Sequence, residues 1–453
     1  MTHVLEKWEP ENEKFWQSEG RAIANRNLWI SIPALLLAFS VWMVWSVVVV
    51  NLKPIGFDFS TSQLFWLTAL PGLSGATLRI FYSFLVPIFG GRLFTTLSTA
   101  SLLIPAVWIG YAVQDVTTPY STFLLLAFLC GLGGGNFASS MANISFFFPK
   151  KEKGNALALN AGLGNTGVSV VQFVVPIVIN MGIFGAVAGP AQEWVKGDLT
   201  KDLWLQNAAF VWVPFIALAT IAAWLGMNDI ASARASFKEQ SIIFQRKHNW
   251  IMCWLYTGTF GSFIGYSAGF PLLAKTQFAE VDSLGYAFIG PLLGALSRAA
   301  TGWISDKYGG GRVTVWVFNS MILAVAGVLY ALYIHSFWLF FAMFMILFTA
   351  TGVGNASTFQ MIPIIFRDDL NKRMKGSSDA EILKQAEKES AATIGFTSAI
   401  AAYGAFLIPK SYGTSISMTG GVEAALIGFI IFYVSCTFLT WFFYRRKGAD
   451  IQC

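Results

Sequence analysis

GATLRIFYSFLVPIFGGR, residues 75–92, returns in the second half of the chain as GALSRAATGWISDKYGGGR, residues 294–312. Each copy begins Gly-Ala, sets an arginine four residues after that glycine, and carries a glycine pair eleven and twelve residues beyond the arginine. A further arginine closes each copy. Arg79 and Arg298 stand among apolar residues, where a permanent cation costs roughly 2.5–3.5 kcal/mol at the centre of a membrane helix. A motif that repeats such a cost points to a duplicated unit in which the cation has a use.

Composition supports a membrane setting. Of 453 residues, 55% are hydrophobic, 16% aromatic and only 12% charged, about half the charge of an ordinary soluble domain. Mean hydropathy is +0.59. The first 27 residues are polar and carry no cleavable-signal pattern. Cys130, Cys253, Cys436 and Cys453 show neither metal nor disulfide spacing. The net charge of +6 sits in membrane-flanking loops, so no nucleic acid is expected as a partner; the partner is the lipid bilayer.

Apolar runs long enough to cross about 30 Å of hydrocarbon fall at 28–51, 62–88, 94–113, 120–148, 155–187, 204–226, 250–275, 285–305, 314–335, 337–366, 391–412 and 421–444. Most loop cations lie on the side of both termini, and only Lys53, Lys196, Lys201, Lys275 and Lys410 lie on the other. Positive loops stay inside, so both termini are expected in the cytoplasm. The predicted organisation is an N-terminal segment (1–27), a six-helix bundle (28–226), a cytoplasmic linker (227–249), a second six-helix bundle (250–444) and a tail (445–453).

Weaker echoes follow in the same order. CGLGGGN (130–136) matches TGVGNAS (351–357), and NAGLGNTGVSVVQFVVP (160–176) matches TIGFTSAIAAYGAFLIP (393–409). Close packing of small residues accounts for most of these glycines. Their recurrence in matching helices agrees with a transporter of two repeated halves and a midplane substrate site. The fold class read from the chain is thus an all-α membrane protein, twelve transmembrane helices in two pseudo-symmetric six-helix bundles.

The charge inventory narrows the substrate. Of the thirty cations only Arg79 and Arg298 fall well inside spans, at equivalent places in the second helix of each half, where they should face each other across the pseudo-two-fold axis. None of the twenty-four acids lies deep in a span; Asp115, Asp306, Asp368 and Glu423 come nearest. His3, His248 and His335 also lie outside span centres. Snorkelling or backbone carbonyls could serve one such arginine; a matched pair without an acid points to an anionic substrate. A guanidinium fork suits a planar oxyanion, such as nitrate, nitrite or a carboxylate. A proton symporter normally carries a titratable group within the membrane, and none stands out. Exchange is therefore favoured over proton coupling. No nucleophile–base pair or metal cluster marks an enzyme, no cofactor is expected, and no long soluble domain suggests a sensor.

The loop G-x-x-x-D-K-x-G-x-x-R (Gly302, Asp306, Lys307, Gly309, Arg312) resembles the signature of the major facilitator superfamily, with Pro87 standing at the acid's place in the first copy. NAGLGNTGVSVVQF (160–173) and AATIGFTSAIAAYGAFLIPKSYG (391–413) resemble the two glycine-rich signatures of the nitrate/nitrite porter family, and NFASSMANISFFFPK (136–150) is similar as well. The resemblance runs from RNLWIS (26–31) through the last span and is to the bacterial NarK-type antiporters. It implies a monomeric carrier of nitrate and nitrite in the bacterial inner membrane. It further implies that Arg79 and Arg298 clasp the anion, Phe137 and Phe260 flank it, and Asn165 and Tyr256 give polar contacts. Gly134 and Gly395 would give close contacts, with Ser398 beside them. Many relatives carry proline where this chain has Phe81.

Overall fold

Lipid offers no partner for peptide groups, so a chain of long apolar runs must close its hydrogen bonds within helices. The computed structural model describes residues 3–231, 241–449 and 451–453. Among them, twelve helical spans overlie the twelve apolar runs. The first six are Arg21–Met43 continued by Trp45–Leu52, Thr61–Phe89, Gly91–Ser101 with Leu103–Ala112, Tyr120–Phe147, Lys150–Asn165 with Gly167–Val178, and Asn207–Phe210 with Trp212–Gly226. Span seven runs Lys247–Tyr256, passes through a π-turn at Thr257–Gly261 and continues as Ser262–Gln277. Then come Ile289–Ala300 with Gly302–Tyr308, Gly310–Tyr333, Phe337–Arg373, Asp379–Ala402 with Gly404–Thr419, and Glu423–Thr440. Another π-turn, Trp441–Arg445, ends span twelve.

By length and hydropathy, ten helices among the described residues suffice to cross a membrane. Spans seven and eight fall outside that set. They carry small and polar residues where the others are aliphatic, as in TGTFGSFIGYSAG (257–269) and SRAATGWISDK (297–307).

The chain forms two compact units, Met1–Ala235 with Ser267–Phe288, and Ser236–Tyr266 with Ile289–Cys453. The expected linker includes residues 232–240, with Arg234 and Lys238, which lie outside the described residues, as does the side chain of Pro87.

Small residues set the packing inside each unit. A Cβ on Gly134 would stand 2.6 Å from Trp42 and 2.8 Å from the Gly75 Cα, so spans two and four touch backbone to backbone. The Trp42 Nε1 donates to the Pro71 carbonyl at 2.7 Å and holds span one in the same contact. In the second unit a Cβ on Gly404 would meet Gly261 backbone atoms at 2.2–2.4 Å, which joins span eleven to the π-turn of span seven. The quoted repeat recurs in backbone shape as well. Gly90 (φ 87°) and Gly309 (φ 86°) link span two to three and span eight to nine, a left-handed turn that only glycine adopts without strain.

Two features lie outside the helical expectation. Span five stops at Val178 rather than near 187, and an antiparallel hairpin pairs Gln192–Lys196 with Leu199–Leu203. Alternating side chains and a Gly-Asp turn with Gly197 at φ 61° explain it. The N-terminal segment is also ordered. Val4–Leu5 pairs in parallel with Asp229–Ile230, while Trp8 and Trp16 donate to the Phe146 carbonyl and to Glu152. This segment therefore straps the ends of spans four, five and six.

Gly404→Leu should destabilise the purified protein, by about 1–3 kcal/mol if the helices yield partly, read as a lowered thermal midpoint. Gly395→Ala should leave that midpoint in place, because no atom lies within 4 Å of a Cβ there.

Candidate functional site

Arg79 rises from span two into the interior of the first unit and is fully buried. Its Nε donates to the Gly134 carbonyl at 3.0 Å. Its guanidinium lies 5.3 Å from the Trp42 ring and 4.9 Å from the Phe137 ring, in range for cation–π attraction. The glycine contact at Gly134 thus has a structural role: without a side chain, span four brings a carbonyl to the arginine. The helix runs unbroken through Phe81, which is exposed. Asn165 ends the first segment of span five, is buried, and its Oδ1 has no hydrogen-bond partner.

In the second unit Arg298 lies near the end of Ile289–Ala300 and is half-buried, unlike its mate. Its Nη1 is buried without a hydrogen bond, a costly state for a charged donor. Its guanidinium sits 5.1 Å from the Phe359 ring. Phe359 in turn meets Tyr256 edge-on at 4.6 Å, and Tyr256 stacks on Phe260 at 5.4 Å with planes 7° apart. The π-turn explains that stack: Tyr256 precedes the wide turn and Phe260 lies within it. Such turns recur at functional sites. Ser398 is buried and donates to the Gly395 carbonyl at 3.1 Å.

Each unit therefore gathers one arginine with aromatic faces: Arg79 with Trp42 and Phe137, and Arg298 with Phe359, Tyr256 and Phe260. Sequence reasoning missed Trp42 and Phe359, which nothing distinguishes among 17 tryptophans and 41 phenylalanines. It also missed Gly162. Alignment of 160–176 with 393–409 sets Gly162 opposite Gly395, and a Cβ at either would meet nothing within 4 Å. Their neighbours Gly164 and Gly167 pack against Leu35 and Leu36. Openness separates the two kinds of glycine.

The acids need one correction. Two are buried among the described residues, Asp369 and Glu389, and neither was among the four expected nearest the spans. Glu389, 1% exposed, takes both Nε and Nη2 of Arg246 at 2.7 Å. Asp369 takes Arg373 Nε at 2.6 Å. Both pairs lie just outside the apolar runs, where the helices Phe337–Arg373 and Asp379–Ala402 extend past them and a carboxylate can be buried against a partly exposed arginine.

The charges of the loop motif stay at the surface. Asp306 is exposed, Lys307 lies 5.3 Å over the Tyr308 ring, and the Gly302 carbonyl accepts from Gln360 at 3.1 Å. In the first copy Asp229, arriving from span six, supplies a carboxylate to the Arg92 backbone N–H at 2.8 Å. Burial pushes the Asp229 carboxyl above its usual range, opposed by that bond and by the Arg92 charge. The equivalent N–H of Gly311 goes to the main-chain oxygen of Cys453 at 3.1 Å.

Long apolar helices in two repeated sets, each with an arginine inside a span, are the build of a multi-pass membrane protein. The family model for the Major Facilitator Superfamily matches residues 34–378. A crystal structure of a point mutant of the nucleoside transporter NupG has the same fold, with a TM-score of 0.60 at 10% identity, over 91% of this chain and 98% of that one. The nitrate/nitrite transporter NarU of Escherichia coli (strain K12) is 52% identical over 98% of this chain and 97% of its own length. The probable nitrate/nitrite antiporter NarK2 of Thermus thermophilus is 44% identical over 98% and 97%. The chain belongs to the nitrate/nitrite porter family of the major facilitator superfamily. It is a transporter, not an enzyme.

Glu389→Gln should cost on the order of 1–3 kcal/mol, because half-buried Arg246 loses the charge of its fully buried partner. Exchanging the two residues should recover a large part of that stability. Thermal midpoints of the three proteins check both outcomes.

Proposed function

We propose that this protein exchanges nitrate for nitrite across the bacterial inner membrane by alternating access, with both termini cytoplasmic and Arg79 and Arg298 as the counter-ions of the anion. The observation that carries the reading is the buried, hydrogen-bond-free Nη1 of Arg298, whose guanidinium faces Phe359. A planar oxyanion satisfies such a donor and accepts a second bond from the same fork. Asn165 and Tyr256 supply polar contacts, and Phe137 and Phe260 present flat faces to a flat ion. Gly134, Gly395 and Ser398 complete the set, and Gly162 joins it as the open counterpart of Gly395. The names of the relatives, nitrate/nitrite transporter and nitrate/nitrite antiporter, agree with this cargo.

Exchange follows from charge. Two fixed cations at one site repel when it is empty, and in a low-dielectric interior that repulsion is strong. One bound monovalent anion lowers it, so the loaded carrier changes conformation more readily than the empty one. Arginine does not release its proton at physiological pH. Both buried carboxylates are held in ion pairs with Arg246 and Arg373, which supports exchange over proton symport. The protein works as a monomer in this reading.

Proteoliposomes loaded with nitrite should take up external nitrate without a change of lumen pH; uptake that acidifies the lumen and needs no internal anion would contradict exchange. Arg298→Lys should lose most of this transport, at least tenfold, since an ammonium cannot replace the fork. Full activity in that variant would count against two-pronged binding.

A further inference from the structure

A cavity of about 680 Å³ opens beside span twelve in the second unit, and cations dominate its lining. Arg312 enters it from the first turn of span nine, with Trp316 one turn further on. Trp441 and Arg445 enter from the closing π-turn of span twelve, and Arg446 and Lys447 follow. Four cations thus share one recess. No described carboxylate forms an ion pair with any of them. Arg446 is steadied by its Nε bond to the Phe442 carbonyl at 3.0 Å and lies 3.9 Å over that ring, while Arg312, Arg445 and Lys447 are exposed. The start of span nine adds the positive end of a long helix.

A second cavity adjoins the first through Trp316, which lines both. It holds about 470 Å³ and is walled by aliphatic side chains of spans nine and ten, from Val313 to Ser320 on one and Met345 to Val353 on the other. At 1.5 Å per residue, Arg312 to Ser320 spans about 12 Å along the helix. The cationic recess therefore leads into an apolar groove that runs toward the membrane interior. Trp316 and Trp441, each 48% exposed, are suited to the boundary between headgroups and hydrocarbon.

We propose that this pair of cavities binds an anionic phospholipid, its phosphate on the cations of spans nine and twelve and an acyl chain in the groove beyond Trp316. Cations beside a helix bundle on the cytoplasmic face attract acidic lipid headgroups. A soluble phosphate would use the recess and leave the groove unexplained. Four cations suit a headgroup with two phosphates, so cardiolipin is the probe. The site shares no residue with the proposed anion site and depends only on the orientation proposed above.

The test is native mass spectrometry of the delipidated full-length protein in neutral detergent, titrated with cardiolipin, phosphatidylethanolamine or inorganic phosphate. Wild-type protein should retain cardiolipin in preference to phosphatidylethanolamine, and millimolar phosphate should not displace it. Each lost cation should weaken retention about fivefold. The triple variant Arg445→Gln, Arg446→Gln, Lys447→Gln should therefore lose about a hundredfold, while Arg445→Lys with Arg446→Lys stays near wild type. Ser320→Trp, which fills the groove with the cations untouched, should also weaken retention several-fold. Equal retention of phosphatidylethanolamine, an unaffected triple variant, an unaffected Ser320→Trp variant or displacement by phosphate would overturn the proposal. Nitrate exchange by the folded Ser320→Trp variant separates failure of this site from failure of the transport reading.

Discussion

A guanidinium keeps its charge at every physiological pH, so an arginine inside a membrane span must find its compensation in the structure or in what the structure binds. Arg79 and Arg298 impose that constraint on this fold. Around Arg79 the answer is partly built in: the Gly134 carbonyl and the faces of Trp42 and Phe137 surround a side chain with no exposed surface. Around Arg298 the Phe359 ring faces a guanidinium that has one nitrogen buried and unbonded. The halves repeat the cation in different surroundings: Arg79 is fully buried and Arg298 half-buried.

The glycines serve that constraint in two ways. Gly75, Gly134, Gly261 and Gly404 remove side chains so that backbones meet, which brings a carbonyl to Arg79 and seats the π-turn that carries Phe260. Gly162 and Gly395 remove side chains where nothing meets them and leave open volume in spans five and eleven. Adding a methyl to the first kind damages the fold. Adding one to the second leaves the fold and takes up space an ion could use.

Periodicity and charge made the spans, the repeat and the two arginines legible, because hydrocarbon punishes every polar group placed in it and so few positions remain ambiguous. The left-handed turns at Gly90 and Gly309 were foreshadowed by the matched glycine pairs. What stayed hidden depends on rotation about helix axes. A membrane phenylalanine reads alike whether it faces lipid or, as Phe359 does, an arginine. Glu389 was not among the acids expected nearest the spans, and only the docking of Arg246 at 2.7 Å reveals it as buried. The 192–203 hairpin fell in the loop between the fifth and sixth apolar runs, where hydropathy carries no strand signal.

The central claim is that the cargo completes the charge balance of these arginines, and ligand-dependent stability measures it directly. Nitrate or nitrite at one hundred times its dissociation constant should stabilise the purified protein by about 2.7 kcal/mol, seen as a raised thermal midpoint that chloride at equal ionic strength does not match. Folded Arg79→Gln and Arg298→Gln proteins should lose that shift. A nitrate-dependent rise of the same size in the Arg298→Gln protein would contradict the account.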